Sequence, residues 1–217
     1  MFVRAIREGW GHDGRPLIEI MPYAEFSHIS DEDLASIVVY IRSIGPVREP
    51  LPETRIPLLF KFVLKGSQRP VVRSPVPTPN ISDRVKVGEY LAHIGNCANC
   101  HDATDPEGHR LPYAGGQIIS DHGEKAAAAA NLTPDPSGIS YYDGGLFVTA
   151  IHTGHVGARE LAPAMPWRYF RNISEEDLKS LFAYLRNLKP VSHRVDNAEP
   201  PTFCKLCRHT HGGGRLN

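Results

Sequence analysis

Long apolar runs are missing from this 217-residue chain: no stretch of eighteen apolar residues occurs, so no membrane-spanning helix is encoded. An excess of one charge is missing too. The 24 Lys and Arg balance the 24 Asp and Glu, which leaves nothing to steer the chain toward nucleic acid or an anionic membrane surface. There is no nucleophile elbow, no phosphate loop and no paired-carboxylate motif at helical spacing, so no catalytic residue is assigned. The N-terminus, MFVRAIREGWGHDG, lacks both a basic segment leading into a long apolar core and a small-residue cleavage site. Aromatic residues are scarce at 8%, and there are only four cysteines, three methionines and two tryptophans. What is present, 41% hydrophobic and 22% charged residues, is the balance of an ordinary globular protein. Many of the 19 prolines fall between Pro46 and Pro79, a stretch that reads as a linker.

The strongest organising signal is a repeat. The 27 residues from Met21 align without a gap to the 27 from Met165, at a constant offset of 144, with 13 identities. Upstream, FVRAIREG at Phe2 matches FVTAIHTG at Phe147 after a one-residue shift. In both copies a serine, Ser30 or Ser174, stands three residues before an aspartate, Asp33 or Asp177, as at the start of a capped helix. Apolar residues then recur at helical spacing: Leu34, Ile37, Val38 and Ile41 in one copy, Leu178, Leu181, Phe182 and Leu185 in the other. Pro46 and Pro190 close the two helices. The unit predicted is therefore a helix, a Met-Pro-aromatic loop and an amphipathic helix. Only the second copy has a front half of more than sixty residues, so Met1 reads as an internal start or fragment boundary. The alternative is that residues 1–47 are a small helical appendage that never had a haem.

That front half contains Cys97-Ala98-Asn99-Cys100-His101. Two thiols three positions apart on one helical turn can reach both vinyl groups on one edge of a porphyrin, and the next residue offers its imidazole to the iron. Ahead of it, Val85, Tyr90, Leu91 and Ile94 predict a helix with Ser82 or Asp83 as N-cap. A zinc half-site or a thioredoxin-like redox pair would use the same spacing. The latter expects a strand before it, where a helix is predicted. A soft second iron ligand is expected about sixty residues on, before the last helix, and Met165 stands there. Trp167 is placed to cover an edge of the macrocycle. His152 and His155 are rival ligands, but Arg7 and Trp10 replace them in the first copy, so they read as surface residues outside the repeated unit. The carbonyl of Leu111, or Pro112, is expected to orient the His101 ring. Gly115 and Gly116 would let backbone approach the porphyrin, and the polar groups of Asn131–Pro134 could meet the haem propionates. The alanine run 126–130 carries no function.

The tail holds Cys204-Lys205-Leu206-Cys207-Arg208, a haem-like motif with arginine in place of histidine. It reads as a disulfide or thiol pair in a flexible tail, or as a zinc site completed by His209, His211 or both.

On GNCANCH, NLTPDPSGI, FVTAIHTG, AMPW and ISEEDLKSLFAYLRNLKPV the chain resembles the class I cytochrome c family, and more narrowly the tandem cytochrome c subunits of periplasmic dehydrogenases. The resemblance covers about residues 81–191 fully and 1–47 as a truncated neighbour. It implies a mostly α fold wrapped around one covalent haem c, preceded by the C-terminal half of a second such domain. It also implies thioether bonds at Cys97 and Cys100, and His101 and Met165 as axial ligands of the iron. The expected organisation is a haem-free half-domain at 1–47, a proline-rich linker at 48–80, a haem-binding domain at 81–191 and a flexible tail at 192–217. The expected role is an electron carrier rather than an enzyme, working in the periplasm between a dehydrogenase donor and a cytochrome or oxidase acceptor. The competing expectation is a zinc-stapled structural or interaction module built on Cys97, Cys100 and His101, with tail cysteines contributing.

Overall fold

The structure, a computed structural model, describes residues 1–18, 20–49, 57, 70–119 and 126–212. Most of the proline-rich stretch at 48–80 and the last residues of the glycine-rich ending lie outside the described residues. The chain divides into two compact units, Met1–Pro79 and Asn80–Asn217. Its described residues are helix-rich, with four small two-stranded antiparallel sheets. No helix among them is long and apolar enough to cross a membrane.

The first unit holds α1 (Phe2–Glu8), α2 (Tyr23–Phe26) and α3 (Asp31–Ser43). Gly9 ends α1 in the left-handed conformation, at φ 69°. A side chain there would have no room, because a Cβ on Gly9 would lie 2.6 Å from Tyr23 Cδ1. Ser30 caps α3, its Oγ accepting from the Asp33 N–H at 3.1 Å. Of the predicted apolar stripe on α3, only Leu34 is buried; Val38 is half-buried, and Ile37 and Ile41 are exposed.

The second unit begins with α4 (Arg84–Ile94) and α5 (Ala98–His101). Asp83, the second of the two expected caps, accepts from the Val85 and Lys86 N–H groups. There follow β1 (Ala103–Thr104) paired with β2 (Arg110–Leu111), β3 (Ile118–Ile119) paired with β4 (Ala127–Ala128), and α6 (Gly144–Thr153). Next come β5 (His155–Val156) paired with β6 (Arg159–Glu160), then α7 (Trp167–Phe170) and α8 (Glu175–Arg186). The last hairpin pairs β7 (Thr202–Phe203) with β8 (Thr210–His211).

The core of this unit forms where α4 crosses α8. Gly88 makes the approach possible: a Cβ there would lie 2.0 Å from the Ser180 carbonyl oxygen and 2.7 Å from Tyr184 Cβ. Leu178 and Leu185 of α8 are buried against Ala92, Phe147 and Ile151. Tyr184 meets Tyr113 edge-on, with ring centroids 5.8 Å apart. The stretch expected as a flexible tail is packed over its described residues. Asn197, 2% exposed, accepts from the Ala128 N–H at 2.8 Å and donates to the Ala128 carbonyl at 2.9 Å. A side-chain amide thus pairs with the outer edge of β4 and ties the segment down.

Candidate functional site

A cavity of about 870 Å³ opens inside the second unit, a size within the range of small-molecule and cofactor sites. Cys97, Cys100, His101 and Met165 all line it. Its apolar walls come from α6 (Phe147, Ala150, Ile151) and from α8 (Leu178, Leu181, Leu185). Sequence spacing alone put Met165 sixty-odd residues from the cysteine motif; the fold brings both to one cavity.

The cysteine motif sits where it does because α4 stops at Gly95 and α5 starts again at once. Asn96 bridges them with a positive φ of 54°. His101, at the end of α5, is nearly inaccessible to solvent. Its Nδ1 lies 2.8 Å from the Ala130 carbonyl oxygen. A carbonyl only accepts, so Nδ1 carries the hydrogen and Nε2 keeps its lone pair. Burial, opposed by the Ala130 carbonyl and by Asp102, holds the ring below the usual histidine pKa and therefore neutral. The carbonyl that orients His101 is thus that of Ala130, not that of Leu111 or Pro112. The alanine run, which carried no expected function, supplies it. Burial also pushes the Cys100 thiol up.

Met165 is held by its own backbone. Its N–H donates to the Ala162 carbonyl at 2.9 Å and its carbonyl accepts from the Trp167 N–H at 2.8 Å. Met21 in the first unit repeats the pattern with Ile18 and Tyr23, at 3.0 and 2.8 Å.

Other expectations are corrected. Trp167 is not among the residues lining the cavity; it packs on Gly154, where a Cβ would lie 2.3 Å from Trp167 Cε2. Gly115 and Gly116 do not line it either. Their missing side chains make room for the backbone of Ala129 and Ala130, and for His193, His211 and Cys207. Asn131 borders the cavity, but its amide is spent within the fold. It donates to the Val191 and His193 carbonyls and accepts from Thr133. His155 is exposed, its Nδ1 2.9 Å from the Thr153 carbonyl. His152 is half-buried, with Nε2 3.0 Å from the Ile173 carbonyl. Neither lines the cavity.

The residues present fit a haem c. Two thiols share one wall of a large apolar cavity with a neutral, oriented imidazole, and a thioether lines the same space. Asn96 Oδ1, buried beside that cavity, has no hydrogen-bond partner among the described residues. Arg159 and Arg194 also line the cavity, and their charge is opposite to that of carboxylate arms.

The tail cysteines do not join this site. Cys204 and Cys207 meet His193 and His211 instead, in a separate cluster against Ala103 and Ala114. None of the four cysteines is in a disulfide. His193 was missed by sequence reasoning, which looked only just beyond Cys207. His209, a candidate there, is exposed, and it takes part through its backbone: its carbonyl accepts from the Cys204 N–H and its backbone hydrogen-bonds to Cys207.

No protein-family model matches the chain. It is similar to cytochrome c subunits of dehydrogenases. The alcohol dehydrogenase (quinone) cytochrome c subunit of Gluconobacter oxydans (strain 621H) is 36% identical over 112 residues, 50% of this chain and 22% of that protein. The fructose dehydrogenase cytochrome subunit of Gluconobacter japonicus is 28% identical over 199 residues, 86% of this chain and 40% of that protein. A diheme cytochrome c-type protein of Cereibacter sphaeroides (strain ATCC 17023) is 30% identical over 152 residues, 68% of this chain and 50% of that protein. The matched part of the chain thus spans half or less of the length of each of these relatives.

Proposed function

We propose that residues 81–191 bind one haem c covalently through Cys97 and Cys100, with His101 Nε2 and the Met165 thioether as axial ligands, in a class I cytochrome c arrangement. The observation that carries this reading is the cavity that gathers Cys97, Cys100, His101 and Met165 at one place. When bound, the haem supplies a one-electron couple. His101 contributes a neutral imidazole whose orientation is fixed by Ala130. Met165 contributes a soft sulfur that favours the reduced metal over what a second imidazole would give. With His101 and Met165 both holding the iron, no coordination site would be left for a substrate, and the chain would serve as an electron carrier.

The relatives named as subunits of alcohol and fructose dehydrogenases support a dehydrogenase as electron donor. A cytochrome or oxidase is the acceptor in this reading. Work outside the cytoplasm follows from the covalent attachment. The 1–47 segment is the matching half of a second such domain, joined by the linker at 48–80.

The test is a pyridine haemochrome assay with intact mass on protein made in a periplasm equipped for haem attachment. One covalent haem per chain, lost in Cys97→Ala plus Cys100→Ala, is expected. Protein that stays colourless under those conditions overturns the reading.

A further inference from the structure

Four side-chain donors of the kind that ligate metals lie outside the cavity. They are His193, Cys204, Cys207 and His211, whose ligand atoms all lie within 4.8 Å of one another. Cys204 Sγ is 3.3 Å from His193 Nε2, and Cys207 Sγ is 3.1 Å from His211 Nε2. A tetrahedral zinc, with bonds of about 2.3 Å to sulfur and about 2.0 Å to nitrogen, sets neighbouring sulfur and nitrogen ligands roughly 3.5 Å apart. The two sulfur–nitrogen separations are within a few tenths of an ångström of that value, and all four donors lie within reach of one ion.

Three elements converge to place them. Cys204 and Cys207 occupy the turn between β7 and β8, tightened by the Arg208 N–H donating to the Cys204 carbonyl at 2.9 Å. His211 lies on β8, and His193 arrives on the extended segment after α8. The His193 ring is fixed from outside, with Nδ1 donating to the Ala114 carbonyl at 2.8 Å, so the Nε2 lone pair faces the sulfurs. That outer hydrogen bond is what a metal-binding histidine uses to hold its orientation. Gly116 closes another side. A Cβ there would lie 2.5 Å from His193 Cε1, 3.0 Å from His211 Nε2 and 3.2 Å from Cys207 Sγ. His193, His211 and Cys207 are all buried. Two sulfurs and two imidazoles, closed in by backbone, form the donor set of a structural zinc site with no open position.

We propose that His193 Nε2, Cys204 Sγ, Cys207 Sγ and His211 Nε2 bind one structural zinc ion. On binding, the two thiols release two protons and become thiolates, so the divalent cation and its four ligands are neutral together. Burial pushes the Cys207 thiol up and the His193 and His211 rings down, which favours the neutral form of these three groups. The ion would fasten the last hairpin to Gly116. The neighbouring Gly115 N–H donates to the His101 carbonyl at 2.7 Å, so the zinc site braces the same stretch of backbone that holds the motif histidine. This proposal stands independently of the haem reading.

The experiment counts zinc and iron separately, by plasma mass spectrometry, in the full chain purified from a haem-attaching periplasm without added chelator. One zinc per chain is expected, kept in Cys97→Ala plus Cys100→Ala and lost in Cys204→Ser plus Cys207→Ser. Should that second variant fail to fold, zinc released from the wild-type chain by a thiol-blocking mercurial, and caught by a chromogenic chelator, gives the same count. Zinc far below one per chain overturns the proposal. So does zinc that the Cys204→Ser plus Cys207→Ser variant retains, or an intact mass lower by two hydrogens, which marks a Cys204–Cys207 disulfide.

Discussion

Arg7 and His152 make the same contact in the two units: each donates from its side chain to the carbonyl of the isoleucine that precedes a helix-capping serine. Arg7 Nη2 reaches the Ile29 carbonyl and His152 Nε2 reaches that of Ile173. The two positions correspond in the repeat, FVRAIREG against FVTAIHTG. The exchange of arginine for histidine suggested that this position lies outside the repeated unit. The structure puts it inside, because the contact needs only a donor of sufficient reach, and both residue types provide one.

Replacing His152 with leucine removes the donor to a half-buried carbonyl, and a loss of about 1–3 kcal/mol is expected. His152→Arg, which copies the first unit, should keep most of that stability. Urea denaturation of the full chain, followed by tryptophan fluorescence, distinguishes the two. Equal loss in both variants would show that the ring packs rather than donates.

Asp31 gives the first unit a pH dependence of known sign. The hydrogen bond from Arg7 holds the Asp31 carboxyl below its ordinary 3.8, helped by the Val76 N–H and Ser74. A depressed carboxylate stabilises the fold above the unfolded-state value, and that contribution disappears as pH falls through the lower folded value. Stability of the wild-type chain should therefore drop below about pH 4 more steeply than that of Asp31→Asn. Denaturant midpoints between neutral and strongly acidic pH check this; parallel curves would contradict it.

At the crossing of α4 and α8, Gly88→Ala forces a methyl group against the Ser180 carbonyl. Overpacking of this kind costs about 1–3 kcal/mol. The exposed Arg84–Glu176 ion pair at the same crossing, 2.7 Å long, is worth less. Thermal unfolding by circular dichroism should rank Gly88→Ala well below Glu176→Gln.

Met165→Ala should leave covalent haem attachment intact, since Cys97 and Cys100 are untouched. It should lower the reduction potential and let added imidazole bind to the oxidised protein. Optical titration and potentiometry read both effects. An unchanged potential would mean that another side chain ligates, and the proposed axial pair would fall.

Helix starts and the repeat were legible in the sequence because their causes are local. Ser30 with Asp33 and Ser174 with Asp177 act across three residues, and each serine caps as expected. The cysteine motif and Met165 were legible as chemistry, and the fold brings them to one cavity. The orientation of His101 was not legible: its partner is a backbone carbonyl 29 residues away, which has no residue identity to betray it. Trp167 escaped for a similar reason, since the space that holds it is the missing side chain of Gly154. His193 meets Cys204 in space, from a segment that Asn197 pins to β4 and the Ala114 carbonyl orients. No spacing rule that scans forward from the cysteines would include it.

That Asn197 contact has one more effect. The strand β4 gives one edge to β3, and the Ala128 N–H and carbonyl on its other edge are both taken by a single amide. An unpaired strand edge is a template on which a second chain can add itself. Here one side chain stands in for the missing neighbour and seals that edge at Ala128, so this short sheet is protected from growth without a further strand of its own.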